Sequence, residues 1–159
     1  MRAMARTRPE RGLIIVGTLL ALAVVVGWTA DRSNESTGPA VVRLTDVQAS
    51  LDTTAGNENG IGSVEIATLK LFGSSIRSHA IGQGVLTCMW VSKTQRDCNG
   101  SYILPRGMIE TGGLLNSRLL YTAAITGGTG LYDNARGTLT VTANGLKPRR
   151  EILLFRLSG

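Results

Sequence analysis

The sequence predicts an all-β fold, an eight-stranded antiparallel β-barrel over residues 40–159, preceded by an N-terminal signal peptide or single anchor helix. From residue 40 onward, short segments of alternating apolar and polar residues recur at intervals of roughly 8 to 15 residues, with turn residues between them. The chain has 20 Gly and only 4 Pro, and no amphipathic helix pattern follows residue 30. A closed barrel is favoured over an open sheet because closure removes exposed strand edges.

The N-terminal residues 1–29 have the pattern of a signal peptide or a signal anchor. A basic start precedes the uncharged apolar run 12–28, which is short compared with the ~20 residues that usually span a bilayer. Trp28 fits poorly at a cleavage site and suits a membrane interface. The domain after the polar linker 30–39 is therefore expected to be extracellular, or anchored to the membrane by 12–28 and facing outside the cytoplasm.

Eight segments with strand patterns follow the linker. They are residues 40–47, 63–72, 79–92, 98–104, 108–115, 119–126, 138–143 and 151–157. Gly82 and Gly84 predict a bend or β-bulge in the third segment. The polar residues 93–97 predict a hairpin loop between the third and fourth segments.

The two cysteines lie on the two segments that this hairpin joins. Cys88 and Cys98 can therefore face each other, and in an exported domain a disulfide is favoured. Two unpaired buried thiols are the alternative. Because His79 is the only histidine and both cysteines are assigned to the bridge, no metal site is expected.

The basic charge of the chain does not indicate a nucleic-acid partner. The formal net charge is +6, and half of it comes from residues 1–11, which belong to the predicted targeting segment. Aromatic residues, which stack on bases, make up only 4% of the chain.

The stretch 125–137, Ile-Thr-Gly-Gly-Thr-Gly-Leu-Tyr-Asp-Asn-Ala-Arg-Gly, predicts a strand, a glycine turn at Gly127–Gly130 and a compact loop before the next strand. A dinucleotide-binding turn would need a helix after it, and none fits before the next strand. The G-x-G-x-x-G pattern is also incomplete, because Asp133 occupies its third glycine position.

The same residues resemble the G-G-T-G-x-F/Y-x-x-A-R-G signature of the allene oxide cyclase barrel-like and dirigent-like superfamily. The matching positions are Gly127, Gly128, Thr129, Gly130, Tyr132, Ala135, Arg136 and Gly137. Residues 98–109 are similar to the preceding region of small secreted bacterial members. The resemblance implies an eight-stranded antiparallel barrel with an apolar cavity, no cofactor, and a possible homo-oligomer. Relatives include isomerases and cyclases that act on lipid-derived or phenolic intermediates, and proteins that steer coupling without a redox centre.

The leading functional hypothesis is an exported barrel that binds a small hydrophobic ligand, lipid-derived or phenolic. The alternatives are a cofactor-independent isomerase or cyclase and a structural cell-surface domain with a filled core. Polar residues in an open cavity favour the enzyme, because burial raises the pKa of a carboxyl group into the range of acid–base catalysis. The candidate ligand-binding residues are Glu65, Tyr102, Glu110, Tyr121 and Arg136. For Arg136 the alternative is a structural role, binding loop carbonyls or Asp133.

Overall fold

Eight antiparallel strands close into one barrel, as the sequence predicts. The computed structural model describes residues 40–57, 60–73, 79–116, 119–145 and 147–158. Each strand pairs with the next one along the chain, and the last pairs with the first. The predicted signal or anchor, 1–29, and the linker 30–39 lie outside the described residues. Within the described part, no helix is long and apolar enough to cross a membrane.

The strands coincide with the eight predicted segments but differ at their ends. They are β1 (Val41–Thr53), β2 (Val64–Phe72), β3 (Gly82–Trp90), β4 (Arg96–Leu104), β5 (Gly107–Leu115), β6 (Leu120–Gly130), β7 (Arg136–Ala143) and β8 (Arg150–Ser158). β1 continues past its predicted end because its second half pairs with β2. Arg96 and Asp97, predicted in the hairpin loop, belong to β4 because they pair with the end of β5.

One end of the barrel, here named the closed end, is filled by aromatic and aliphatic side chains. The rings of Tyr102 and Phe155 meet edge to face with centroids 5.1 Å apart, and both are buried. Fully buried aliphatic residues surround them: Leu71, Ile109, Leu139, Val141 and Leu153. Each such side chain stabilises the fold by about 1.5–3 kcal/mol through removal of apolar surface from water. This end of the barrel is therefore a packed core.

The predicted glycine turn at Gly127–Gly130 is wrong, because these residues form the end of β6. They pair with β5, from Glu110 opposite Gly127 to Gly107 opposite Gly130. The chain turns directly afterwards, at residues 131–134, where Asn134 has a φ of 58°. Asparagine adopts this left-handed conformation more readily than most residues.

The signature residues shape the closed end of the barrel. Tyr132 is buried there, and its N–H donates to the carbonyl of Thr129 at 3.1 Å. A Cβ atom at Gly128 would clash with the carbonyl oxygen of Tyr132, so the turn can fold back only over a glycine. Arg136 is exposed on the outside, and its Nη1 donates to the carbonyl of Ala135 at 2.8 Å.

β3 has no β-bulge at Gly82 or Gly84, because it pairs with both neighbours in a regular register. Gly84 instead makes room for the core: an added Cβ would lie 3.2 Å from the ring of Tyr102. The register shifts elsewhere, leaving Ala49 in β1 and Thr126 in β6 as extra residues. Each extra residue bends its strand, which helps a sheet to close into a barrel.

The predicted disulfide is confirmed. Cys88 in β3 pairs directly with Cys98 in β4, and their sulfur atoms are bonded. Both residues are buried inside the barrel.

Removing this bridge is expected to destabilise the protein by roughly 2–3 kcal/mol, because the bond closes a short loop in the unfolded chain. The double variant Cys88→Ala/Cys98→Ala should therefore unfold at lower urea concentration than the oxidised wild type. Wild-type protein treated with reductant is the matched control and should shift by a similar amount. Identical unfolding midpoints for oxidised and reduced wild type would contradict the prediction.

Candidate functional site

A small cavity of about 40 Å³ lies inside the barrel, and a wider depression of about 550 Å³ lies at the rim. We name them the inner cavity and the vestibule, and together they form the open end of the barrel. The inner cavity is lined by Asp46, Gln48, Leu51, Glu65, Ala67, Leu69, Leu86, Cys88, Arg96, Arg149 and Glu151. The vestibule is lined by Gln48, Leu51, Leu119, Ala143, Gly145, Lys147, Pro148 and Arg149. Since Gln48, Leu51 and Arg149 line both spaces, the two adjoin.

Asp46 is a buried acid facing the inner cavity. Its Oδ1 accepts a hydrogen bond from the backbone N–H of Glu151 at 3.0 Å, whereas Oδ2 has no hydrogen-bond partner among the described residues. Burial, reinforced by the nearby carboxylate of Glu151, raises the pKa of Asp46 to about 8. At neutral pH this side chain is therefore a neutral carboxylic acid that can donate a hydrogen bond or a proton.

Glu65 and Arg96 form an ion pair on the wall of the inner cavity. Nη1 of Arg96 lies 3.5 Å from Oε2 of Glu65, whose other oxygen accepts a hydrogen bond from Nε1 of Trp90 at 3.2 Å. The guanidinium of Arg96 also lies over the ring of Tyr121, 5.9 Å from its centroid. Glu65 shares a face of β2 with buried Ala67, and Arg96 shares a face of β4 with buried Cys98. Alternation along the two strands therefore places the ion pair inside the barrel.

Glu151, Tyr121 and Arg149 complete the polar wall. The hydroxyl of Tyr121 donates to Oε2 of Glu151 at 3.2 Å, and Nε of Arg149 donates to Oε1 of the same carboxylate. Burial, strengthened by the charge of Glu151, raises the pKa of Tyr121, so this phenol stays protonated. The charges of two carboxylates, Glu65 and Glu151, thus balance those of Arg96 and Arg149. With Asp46 neutral, the net charge of the residues that line the inner cavity is zero.

The structure brings some of the predicted site residues together and separates others. Glu65 lines the inner cavity, and Tyr121 lies behind the lining, in contact with Glu151 and Arg96. Tyr102 lies deeper, in the closed end, where burial raises the pKa of its phenol. Glu110 faces outward from β5 and accepts a hydrogen bond from Ser101. Arg136 is also outside, so neither Glu110 nor Arg136 contributes to the open end.

Sequence reasoning missed Asp46, Arg96, Arg149 and Glu151. Two of them could have been placed by alternation. Glu151 is two residues from Leu153, and Arg96 is two residues from Cys98, so each shares a strand face with a residue that is buried in the barrel. Arg96 was missed because it was assigned to the hairpin loop.

Replacing Arg96 by Met is expected to destabilise the protein by about 2–3 kcal/mol, because Glu65 would keep a partly buried charge without this partner. Urea denaturation at neutral pH measures the change. The double variant Glu65→Gln/Arg96→Met should recover part of the loss, since both charges are then removed together. A double variant less stable than Arg96→Met alone would contradict this account of the pair.

Comparisons with known proteins support the fold and leave the family open. No protein-family model matches the sequence, and a search of curated proteins finds no match. Among solved structures, a pyocyanin demethylase is 24% identical with a TM-score of 0.62, over 71% of this chain and 97% of that one. A pterocarpan synthase dirigent protein is 16% identical with a TM-score of 0.57, over 75% of this chain and 96% of that one. The Diels–Alderase AbmU from Streptomyces koyangensis is 16% identical with a TM-score of 0.56, over 96% of this chain and 83% of that one. The chain therefore shares its barrel fold with dirigent proteins and Diels–Alderases.

Proposed function

We propose that the open end of the barrel binds a small, neutral, mostly apolar molecule, lipid-derived or phenolic, through one oxygen atom. The observation that carries this proposal is Asp46, a neutral acid whose unpaired Oδ2 belongs to a residue lining the inner cavity. A ligand oxygen could accept its proton in a hydrogen bond. The apolar side chains of Leu51 and Leu119, together with Pro148, would contact the rest of the ligand in the vestibule.

The two spaces set the shape of the ligand. The inner cavity, at about 40 Å³, exceeds the ~10–15 Å³ that a cavity needs to hold one water molecule but is far smaller than a pocket for a whole ligand. It therefore suits a single polar group, whereas the vestibule, at about 550 Å³, suits a body of drug-like size. A purely structural barrel would gain little from burying two ion pairs and an acid, since replacing buried charges with apolar groups is often neutral or stabilising.

An oxidising compartment is consistent with the disulfide between Cys88 and Cys98. We propose that the barrel works outside the cytoplasm, either secreted or held at the membrane by residues 12–28. The resemblance of 125–137 to the allene oxide cyclase barrel-like and dirigent-like signature supports the proposed ligand class.

Equilibrium dialysis with 4-propylphenol as the probe tests binding at the open end. The variant Asp46→Val removes the donor and should weaken binding by about tenfold, the equivalent of one hydrogen bond. Asp46→Asn keeps a donor at the same place and should bind nearly as the wild type does. Glu110→Gln, on the outer surface, is the matched control. Equal affinity of wild type and Asp46→Val, or no retention of the probe by wild type, would refute the proposal.

A second candidate function, a cofactor-independent isomerase or cyclase, is favoured by the protonated state of Asp46. In such a reaction the Asp46 proton moves to a carbonyl oxygen of the ligand, leaving a carboxylate. A proton released from ligand carbon returns to Asp46, so no redox partner is needed. Turnover should then fall as pH rises through about 8, where Asp46 ionises. Asp46→Asn should bind ligand but lose turnover, and an active Asp46→Asn would contradict the mechanism.

A further inference from the structure

The outer surface of the barrel is divided by charge. On β7, β8 and the part of β1 that pairs with β8, every described outward residue is basic, threonine, serine or aliphatic. The carboxylates of these strand segments, Asp46 and Glu151, point into the barrel. The exposed carboxylates lie outside these segments: Asp52 in the second half of β1, Asp97 in β4 and Asp133 in the loop before β7. The outward surface of these strand segments thus carries positive charge alone.

The basic residues border a strip of aliphatic side chains, and we name this surface the β8 face. Along β8 the outward residues are Arg150, Ile152, Leu154, Arg156 and Ser158, so the two aliphatic residues lie between two arginines. Ile152 is 42% exposed and Leu154 is half-buried, so both contribute aliphatic surface to this strip. Threonines flank this strip on both neighbouring strands: Thr45, Thr140 and Thr142. The face is therefore amphipathic, with aliphatic groups between cationic borders.

Strand register gathers the cations into two groups. Arg43, Arg156 and Arg136 lie on β1, β8 and β7, each displaced by two residues along the strand from the last. Such diagonal neighbours are about 7–8 Å apart, so the three form one oblique row. At the other border, Val47 pairs with both Lys70 and Arg150. All five cations are exposed.

We propose that the β8 face rests on the surface of a bilayer that contains anionic lipids. Anionic headgroups attract arginine and lysine, and the aliphatic strip between the cationic borders can enter the headgroup region. A nucleic acid is disfavoured, because no aromatic side chain points outward from β7, β8 or the paired part of β1 to stack on bases. A second copy of the chain is disfavoured, because the exposed carboxylates of the described residues, Asp52, Asp97 and Asp133, lie on β1, on β4 and in the loop after β6 and do not gather opposite five cations.

The position at which the described chain begins also favours a bilayer as the partner of the β8 face. β1 starts at Val41, which pairs with Arg156, so the described chain begins at the edge of the β8 face. If 12–28 holds the chain in a bilayer, the residues between 28 and 41 span at most roughly 40–45 Å when fully extended. The β8 face is thus within reach of the membrane, and its cations would hold it there. This inference does not depend on what the open end binds.

Quenching of a fluorescent label in nanodiscs tests the proposal with the full chain. One label is attached at Thr142→Cys on the β8 face, and the reference label at Asn99→Cys on β4. The discs contain a nitroxide-headgroup lipid in phosphatidylcholine, with or without phosphatidylglycerol at about one part in three. With phosphatidylglycerol, the label at Thr142→Cys should be quenched at least roughly twofold more than the reference label, and the difference should shrink in about 0.5 M NaCl.

Matched charge variants separate the face from net charge. Arg43→Gln/Arg156→Gln should abolish the difference between the two labels, whereas Lys93→Gln/Arg106→Gln removes the same charge elsewhere and should preserve it. Equal quenching of both labels in anionic discs would overturn the proposal. So would a difference that persists in phosphatidylcholine alone, or a full chain that does not associate with the discs.

Discussion

Asp46→Asn is expected to be more stable than the wild type above about pH 8, by on the order of 5 kcal/mol. Asparagine has nearly the shape of the neutral acid and can still accept the hydrogen bond from the N–H of Glu151. It cannot ionise, so it avoids the cost of a buried negative charge. The free energy of unfolding from urea titrations between about pH 4 and pH 9 measures the effect.

The direction follows from proton linkage. The pKa of Asp46 is about 8 in the folded state and 3.8 in the unfolded reference, so between these values the folded state binds more protons. The stability contributed by this group is complete below pH 3.8 and is lost as pH rises to about 8. One such group changes the free energy of unfolding by at most about 1.4 kcal/mol per pH unit. Asp46→Asn should therefore show a flatter profile than the wild type.

The other titratable groups near Asp46 lie on four strands and directly before β8, and each bears on this prediction. They are Glu151 in β8, Arg149 just before it, Glu65 in β2, Arg96 and Tyr102 in β4, and Tyr121 in β6. The pKa values of both phenols are raised, so neither ionises in this range. Glu110→Gln is the control and should keep the wild-type slope, because Glu110 lies outside the barrel. Parallel profiles for wild type and Asp46→Asn would show that Asp46 ionises normally.

The fold was largely predictable from sequence because strand alternation persists through all eight strands. What escaped prediction was set by pairing between distant segments. The second half of β1, from Ser50 to Thr53, is polar except for Leu51 and does not by itself predict a strand, yet it pairs with β2. The glycines of Gly127–Gly130 likewise predict a turn, yet pairing with β5 extends strand β6 through them. The residues of a segment do not reveal which distant strand will pair with it.

The site was less predictable because alternation fixes which residues share a face, but not which face is inside. Val64 and Ile66 lie on one face of β2, and Ala67 and Leu69 share the other face with Glu65. Both faces of the strand therefore carry apolar residues. Only barrel closure shows that Glu65 points inward and that Glu110 points outward. A buried acid such as Asp46 gives no local signal, because an isolated aspartate in a strand is usually a surface residue.

Gly137→Ala is expected to destabilise the protein by at least about 4 kcal/mol, enough to remove much of the 5–15 kcal/mol typical of a domain. Gly137 has a φ of 132°, a conformation that side chains disfavour. A Cβ atom there would also collide with the carbonyl oxygen of Arg156 and lie 3.2 Å from Cα of Leu157. Both obstacles are backbone atoms of β8, so relief requires β7 and β8 to separate.

Substitutions at two other glycines separate the two causes of this destabilisation, backbone strain and steric collision. Gly62 has a φ of 85° but open space around it, so Gly62→Ala should cost only the strain, about 1–2 kcal/mol. An added Cβ at Gly73 meets nothing within 4 Å, and Gly73→Ala should stay within about 0.5 kcal/mol of the wild type. Urea denaturation of the three variants gives the comparison. If Gly137→Ala were no less stable than Gly62→Ala, the seam between β7 and β8 would have to open at little cost. Such flexibility is at odds with a barrel closed by continuous pairing of β8 with β1 and β7.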